Sequence, residues 1–417
     1  MRLLTLLHRL YQHKGFVYGA PSFFKVDGRD AIRVPLRPRQ GSRPVCSGCR
    51  KRGPGYDRLP ERTFQFVPLW GLAVFLAYRM RRVNCRRCGV TVERVPWARG
   101  KAQSTEAFAW HLAFWAKLLA WQKVAKVFRV SWGTVFSAVE HAVEWGLARR
   151  QLEGVEAIGV DEVQWQRGHH YLTLVYQIEE GCKRLLYVGV DRTGDSLRGF
   201  FTAVGEEVAA GLKYVCSDMW QPYLDVLAEL APKAVHVLDR FHLVARLHKA
   251  VDEIRAGEAR RLKEDGYEAV LKHSRWCLLK RRENLTDKQT VKLQEVLKYN
   301  LRTVRAFLHK EELDRLWEYQ SPFWAGRFLQ EWIERVLRSR LDPLKKVARS
   351  MRTHLPLILN WFRARGTMSS GAVEGQNYNA KLAMKNAYGF RTFRAIEIAL
   401  FHKLGALPES ELAHKFV

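Results

Sequence analysis

Several acidic residues follow short, β-prone runs: Ala157-Ile-Gly-Val160 leads to Asp161, Tyr214-Val-Cys-Ser217 to Asp218 and Ala234-Val-His-Val-Leu238 to Asp239. A further acid, Glu374, lies far downstream in the Gly-bounded stretch Ser369–Lys381. Carboxylates gathered from strand ends offer hard oxygen ligands, which magnesium takes while keeping positions open for water and phosphate. Phosphoryl transfer is the chemistry such a set can perform. A single aspartate after a strand is more often a turn residue; the weight comes from the company that Asp161, Asp218 and Glu374 keep. Asp191, followed by Arg-Thr-Gly-Asp, reads as a turn, and Glu162 points away from Asp161 if the strand continues. Asp239 rivals Asp218 as second ligand, because it too caps an apolar strand and has His242 one helical turn later.

A second chemistry is written in cysteine. Cys46-Ser-Gly-Cys49 and Cys85-Arg-Arg-Cys88 supply two thiolates each, the number a closed tetrahedral zinc site needs, and the 35 residues between the pairs leave room for the strands of a zinc ribbon. Seven cysteines, an odd count, suit metal binding in a reducing compartment better than disulfides.

Distinct kinds of element must position these groups. Residues 1–100 are rich in Arg, Gly and Pro, with short alternating segments such as Thr63–Val67, and predict small strands and loops. Residues 101–150 turn helical: Gln122–Phe128, a tight turn over Arg129–Ser131 and a second helix with Ser131 as N-cap have helix-turn-helix spacing. Val124, Ala125, Val130, Val135 and Val139 form its expected core, and Trp132, Thr134 and Ser137 its expected reading face. Plain three-helix packing is the bland alternative. Residues 151–245 alternate strands and helices, residues 246–365 are charged and helical, and residues 366–417 are a loop leading into a last helix, so a multidomain mixed α/β protein is expected. Trp276, Trp317, Trp324, Trp332 and Trp361 of the helical stretch read as core before base-stacking platforms.

The net charge of +28 points to a polyanion, with nucleic acid first. Residues 1–100 hold 21 Lys and Arg against 5 Asp and Glu, so +16 of that charge is concentrated beside the cysteines. Arg79, Arg81, Arg82, Arg86 and Arg87 are the expected phosphate contacts there, and Lys381, Lys385, Arg391 and Arg394 around the last acid; a solvated basic face is the alternative for both groups. No apolar run reaches the roughly 20 residues of a membrane span, and the N-terminus has too short an apolar run for a secretory signal, so a cytoplasmic, nucleoid-associated protein is expected.

In this order, the two CxxC pairs, the helix-turn-helix, Gly159-Val-Asp-Glu162, Ser217-Asp-Met-Trp220, Leu238-Asp-Arg-Phe-His242 and Val373-Glu-Gly-Gln-Asn377 resemble the ISL-three insertion-sequence family of bacterial transposases. The resemblance covers nearly the whole chain from Cys46; residues 1–45 add nothing to it. It implies a zinc ribbon (1–100), a DNA-binding helix-turn-helix (101–150) and a ribonuclease H-like catalytic core (151–245 and 366–417) interrupted by an all-helical insertion (246–365). It implies Asp161, Asp218 and Glu374 as a DDE triad for two Mg2+ or Mn2+ ions, with Asp239 and His242 in support. Structural Zn2+ at Cys46, Cys49, Cys85 and Cys88, double-stranded DNA at transposon ends and target, and a homodimer on DNA complete the expectation. A regulator that keeps the fold without catalysis, and a structure-specific nuclease that cuts without joining, are the competing readings.

Overall fold

The computed structural model describes residues 3–267, 269–364, 371–386 and 390–416, which form two compact units, residues 1–150 with 386–417 and residues 151–385.

The first unit begins with α1 (Leu3–Leu10) and is built on a six-stranded sheet: β1 (Phe16–Tyr18), β2 (Ser22–Val26), β3 (Arg29–Pro38), β4 (Gly55–Leu69), β5 (Leu72–Cys85) and β6 (Gly89–Val92). Its path is β1-β3-β5-β4, with β2 on β3 and β6 on β5. Short strands were expected here, yet β4 and β5 form a hairpin of 15 and 14 residues. The reason is its two-residue turn: Trp70 and Gly71 both take positive φ, the twist that keeps flanking strands paired. Thr63–Phe66 alternates as expected, with Phe64 and Phe66 buried, but Val67 is buried beside Phe66. Fully buried Trp97 packs edge-on against Phe16 and Tyr78, so residues before Cys46, which carried no signal, help build the core.

Three helices follow: α2 (Glu106–Leu118), α3 (Trp121–Phe128) and α4 (Trp132–Leu147). Arg129 turns left-handed after α3, and the Ser131 hydroxyl accepts from the Thr134 amide to cap α4, an interaction worth about 1 kcal/mol. Val124, Val135 and Val139 are fully buried, and Val130 half-buried. Backbone hydrogen bonds from Gln65 to Gln103 and from Thr105 to Gln65 tie the start of this helical group to β4.

The second unit opens with the antiparallel strands β7 (Ala157–Gln166), β8 (His170–Glu179) and β9 (Cys182–Val190). Then come α5 (Gly194–Val204), α6 (Glu206–Gly211), β10 (Tyr214–Ser217), α7 (Gln221–Leu230), β11 (Val235–Leu238) and α8 (Arg240–Glu264). The sheet order is β11-β10-β7-β8-β9, with β10 and β11 parallel to β7. Ile158 and Val160 on one face of β7 share a core with Leu197, Phe200 and Tyr223 of α5 and α7.

The helical stretch continues through α9 (Arg275–Leu279), α10 (Asp287–Leu297), α11 (Arg302–Asp314), α12 (Pro322–Arg338), α13 (Asp342–Thr353) and α14 (Leu355–Arg363). Its core joins Leu243, Leu247, Leu329 and Trp332 to Met219 and Leu238 of the sheet ends. Of the tryptophans expected in that core, Trp317, Trp332 and Trp361 are there, while Trp276 and Trp324 are exposed.

The C-terminal segment, read as one piece, is divided between the units. α15 (Gly371–Asn386) packs in the second unit, whereas α16 (Phe393–Leu404) lies in the first, where Arg394 joins it to Glu140 and Glu144 of α4. Among the described residues no helix is long and apolar enough to cross a membrane.

Candidate active site and metal centre

The cysteines come together first. The two CxxC turns end in matching backbone kinks, with positive φ at Arg50 after Cys49 and at Gly89 after Cys88. The sulfurs of Cys46, Cys49, Cys85 and Cys88 all lie within 4.8 Å of one another. The Cys49 and Cys85 sulfurs are 3.4 Å apart, and Cys46 Sγ is 3.2 Å from Thr91 Oγ1. That hydrogen bond, with the amides of Cys49 and Gly48, holds the Cys46 thiol down to about 6. Four sulfurs in one shell, two from the segment between β3 and β4 and two from the end of β5 and its turn into β6, have the chemistry of a closed tetrahedral zinc site.

The acids are brought together by strand register. Cys216 of β10 pairs with Gly159 of β7, and Ser217 pairs with Leu238 of β11. Carrying those registers onward sets Asp161, Asp218 and Asp239 level on three neighbouring parallel strands. Because β10 lies between β7 and β11, Asp218 follows the end of the strand beside Asp161, and Asp239 the end of the strand beyond it. Asp161 itself is not at a strand end. β7 keeps its antiparallel partner β8 as far as Gln166, well after β10 has stopped at Ser217, so Asp161 stands at the end of the parallel ledge but in the middle of a hairpin.

Asp161 faces α15. One turn of that helix after Glu374, the buried Asn377 donates from Nδ2 to Asp161 Oδ2 at 2.5 Å, and its Oδ1 accepts from the Tyr176 hydroxyl at 2.8 Å. The approach depends on glycine: a Cβ on Gly159 would collide with the Val373 side chain. Glu374 is exposed in the first turn of α15, on the helix that this contact seats. Among the described residues the one group whose ligand atoms all fall within 4.8 Å is the cysteine set, so the acids are neighbours without being a closed shell.

Burial pushes the Asp161 carboxyl up, and Asp239 and Asp218 add to the push; the Glu162 amide and His242 oppose it. Asp239 caps α8 through the Phe241 amide at 2.7 Å, and its other oxygen is 3.6 Å from His242 Nε2. Asp218 accepts from the Trp220 amide at 3.0 Å and from Arg192 Nη2 at 2.7 Å. Asp191 takes the expected turn, with positive φ.

Glu162 faces away from Asp161, as a continuing strand requires, and burial pushes its carboxyl up to about 7, with Asp218 next among the causes and Arg192 opposing. Gly159 and Asn377 stand in the sequence motifs but were given no role there, and Arg192 was given none either. Asn377 had a signal, since it follows Glu374 by three residues on a helix and shares its face. Arg192 had none, because its partners are 30 and 26 residues away.

The expected DNA contacts divide. Arg79, Arg86, Arg87, Lys381, Lys385 and Arg391 are exposed, as are Trp132, stacked on Phe136, and Ser137; Thr134 is half-buried beside the Ser131 hydroxyl. Thr134 and Ser137 line a groove of about 750 Å³ with Arg99 and Arg129. Arg81 departs from expectation: it is buried, bonded to Glu93 at 2.8 Å and to the Ser42 carbonyl at 2.7 Å, so its donors face inward. Arg394 is likewise engaged by Glu140, Glu144 and Glu397, and Arg82 is paired with Asp57.

Comparison with known proteins bears on this arrangement. The profile of the ISL3 transposase family matches residues 158–400, a span that begins in β7 and ends in α16. The transposase of insertion sequence IS1001 from Bordetella parapertussis is 29% identical over 350 residues, covering 83% of this chain and 85% of that one. The transposase of IS1557 from Mycobacterium tuberculosis is 30% identical over 415 residues, covering 93% and 92%. With the match spanning more than half its length, the chain belongs to the ISL3 family of insertion-sequence transposases.

Proposed function

We propose that the chain cuts and rejoins DNA as a DDE transposase, with Asp161, Asp218 and Glu374 holding two Mg2+ or Mn2+ ions and Asp239 and His242 in support. The observation that carries this reading is the alignment of Asp161 and Asp218 on adjacent parallel strands, with the Glu374 helix hydrogen-bonded to Asp161 through Asn377. The donor set fits the ions: the carboxylates are hard, and the mutual repulsion that helps raise Asp161 is what cations relieve. Bound there, such ions would activate a water or 3′-hydroxyl for in-line attack and steady the leaving oxygen. The protein's own part is positional: Asn377 fixes one oxygen of Asp161, Trp220 one oxygen of Asp218, and His242 stands by Asp239. The strand order, three antiparallel strands with two parallel to the first, supports a ribonuclease H-like core.

In this reading the cysteine module binds structural zinc, and it and the helix-turn-helix read the terminal repeats. Trp132, Thr134 and Ser137 meet bases, and Arg79, Arg86, Arg87, Lys381, Lys385 and Arg391 meet phosphates. The protein works as a homodimer on DNA in the bacterial cytoplasm, at the nucleoid. The test is incubation with Mg2+ and linear DNA carrying an element end. Nicking at the end followed by joining to target, with affinity falling steeply as salt rises, is expected. Tight binding without cleavage in either metal would make the protein a regulator; cutting without joining would make it a nuclease.

A further inference from the structure

Glu162 leaves β7 on the face opposite Asp161, and a cation reaches from it to Asp218, just past the end of β10. Arg192 follows the left-handed Asp191, whose carbonyl accepts from the buried Thr173 hydroxyl at 2.7 Å and whose amide donates to Tyr171 at 2.9 Å. These bonds aim the side chain from the end of β9 back over the sheet. Arg192 Nη2 donates to Asp218 Oδ2 at 2.7 Å, and Nε lies 2.8 Å from Glu162 Oε1 as an ion pair off the hydrogen-bond axis. The guanidinium lies over the Trp220 ring, 4.7 Å from its centre, while the amide of the same Trp220 holds the other oxygen of Asp218. Both oxygens of the buried Asp218 are therefore taken. Glu162 Oε2 is buried with no hydrogen-bond partner among the described residues.

The arrangement has a direct consequence for any cation entering among the acids. Oδ2 of Asp218 cannot serve Arg192 and an incoming ion equally, and a fixed positive charge opposes a second one close by. Glu162 gives the guanidinium a carboxylate to stay on when Asp218 leaves it. We propose that Arg192 is a positioning residue that acts as a resident cation: it holds Asp218 in the metal-free protein and yields it on metal entry, with Glu162 retaining the arginine. This rests on the reading of Asp161 and Asp218 as metal ligands.

The experiment is Mn2+ titration of the full chain by calorimetry and electron paramagnetic resonance, with melting curves recorded without metal and at saturation. Wild type should bind Mn2+ and Asp161→Asn should lose most of that binding; failure of both would sink the metal reading itself. Arg192→Gln should bind Mn2+ about tenfold more tightly, because one competitor for Asp218 is gone. It should melt below wild type without metal and close to it at saturation. Glu162→Gln, which leaves Arg192 to Asp218 alone, should shift affinity the other way by several-fold. If wild type binds Mn2+ while Arg192→Gln binds equally or more weakly, or melts lower by the same amount with and without metal, Arg192 is a structural brace and the proposal fails. Should Arg192→Gln not fold, the Glu162→Gln titration decides, since unchanged or tighter binding there overturns it.

Discussion

The two clusters of metal-type ligands in this chain differ in how far folding completes them. The cysteines form a shell within 4.8 Å, set by two backbone kinks and the register of β5 with β6. The acids stand on separate elements: Asp161 is shared with Asn377, Asp218 with Arg192 and Trp220, and Glu374 is exposed on α15. Thiols in which Cys46 is held down to about 6 while burial pushes Cys88 up to about 12 can be packed together before a metal arrives, whereas several carboxylates at that spacing repel and need counter-charges in the meantime. A stabilising site profits from closure, and a catalytic one must stay open to its substrate.

If that contrast is right, substitutions in the two clusters fail in different ways. The largest effect belongs to Glu374→Gln, which should lower cleavage of end DNA by about a thousandfold or more, as loss of a ligand removes several kcal/mol of transition-state stabilisation, with melting temperature unchanged. Asp239→Asn, as a supporting change, should cost about ten- to a hundredfold. Equal losses would exchange their roles.

Cys46→Ser should do the reverse. Zinc content by atomic absorption should fall to near zero, and the segment around the cysteines, from Cys46 to Cys49 and from Val83 to Val92, should lose its hydrogen-exchange protection, because metal binding and folding are linked in so small a module. A well-folded variant with wild-type zinc would end the comparison.

Smaller in effect, Gly159→Ala inserts a methyl where Val373 sits. Overpacking of this kind costs about 1–3 kcal/mol. Displacing α15 by about 1 Å should cut cleavage up to a hundredfold, without loss of DNA binding. Unchanged cleavage would mean that the seat of α15 does not set the site.

The smallest predicted difference is in response to acid. Burial holds His13, His111 and His141 at about 4 and His402 at about 3 in the first unit, and His236 of β11 at about 4 in the second. Their folded values lie below the unfolded 6.5, so the stability they contribute is present above that pH and lost as pH falls toward 4. Glu162 has the opposite sign. Raised by burial from 4.5 to about 7, it disfavours the fold once ionised, so its surroundings should become more stable as pH falls through that window. Hydrogen exchange between pH 7 and 4.5 should show protection falling around α2 and α16 and holding or rising along β7.

The sequence disclosed the residues that announce themselves in short motifs. The two CxxC pairs, the cap at Ser131 and the acids after apolar runs all depend on neighbours within a few positions; the structure has Ser131 capping α4 and Asp218 and Asp239 following β10 and β11, while Asp161 lies inside β7. What it hid was long-range. Nothing local distinguishes Arg81, bonded across the sheet to Glu93, from exposed Arg79, and composition alone made both look like DNA contacts. The ion pairs of exposed Arg394 were hidden in the same way, because two of its acids lie some 250 positions earlier in α4. The length of β4 and β5 turned on left-handed φ at Trp70, a residue type that gives no turn signal.

The central claim is that Asp161 belongs to the chemistry and not to recognition. Asp161→Asn should be compared with wild type for cleavage of end-containing DNA in Mg2+ and for affinity toward the same DNA. The account predicts cleavage below detection with affinity within a few-fold of wild type. Retained cleavage, or a loss of binding as large as the loss of cutting, would contradict it.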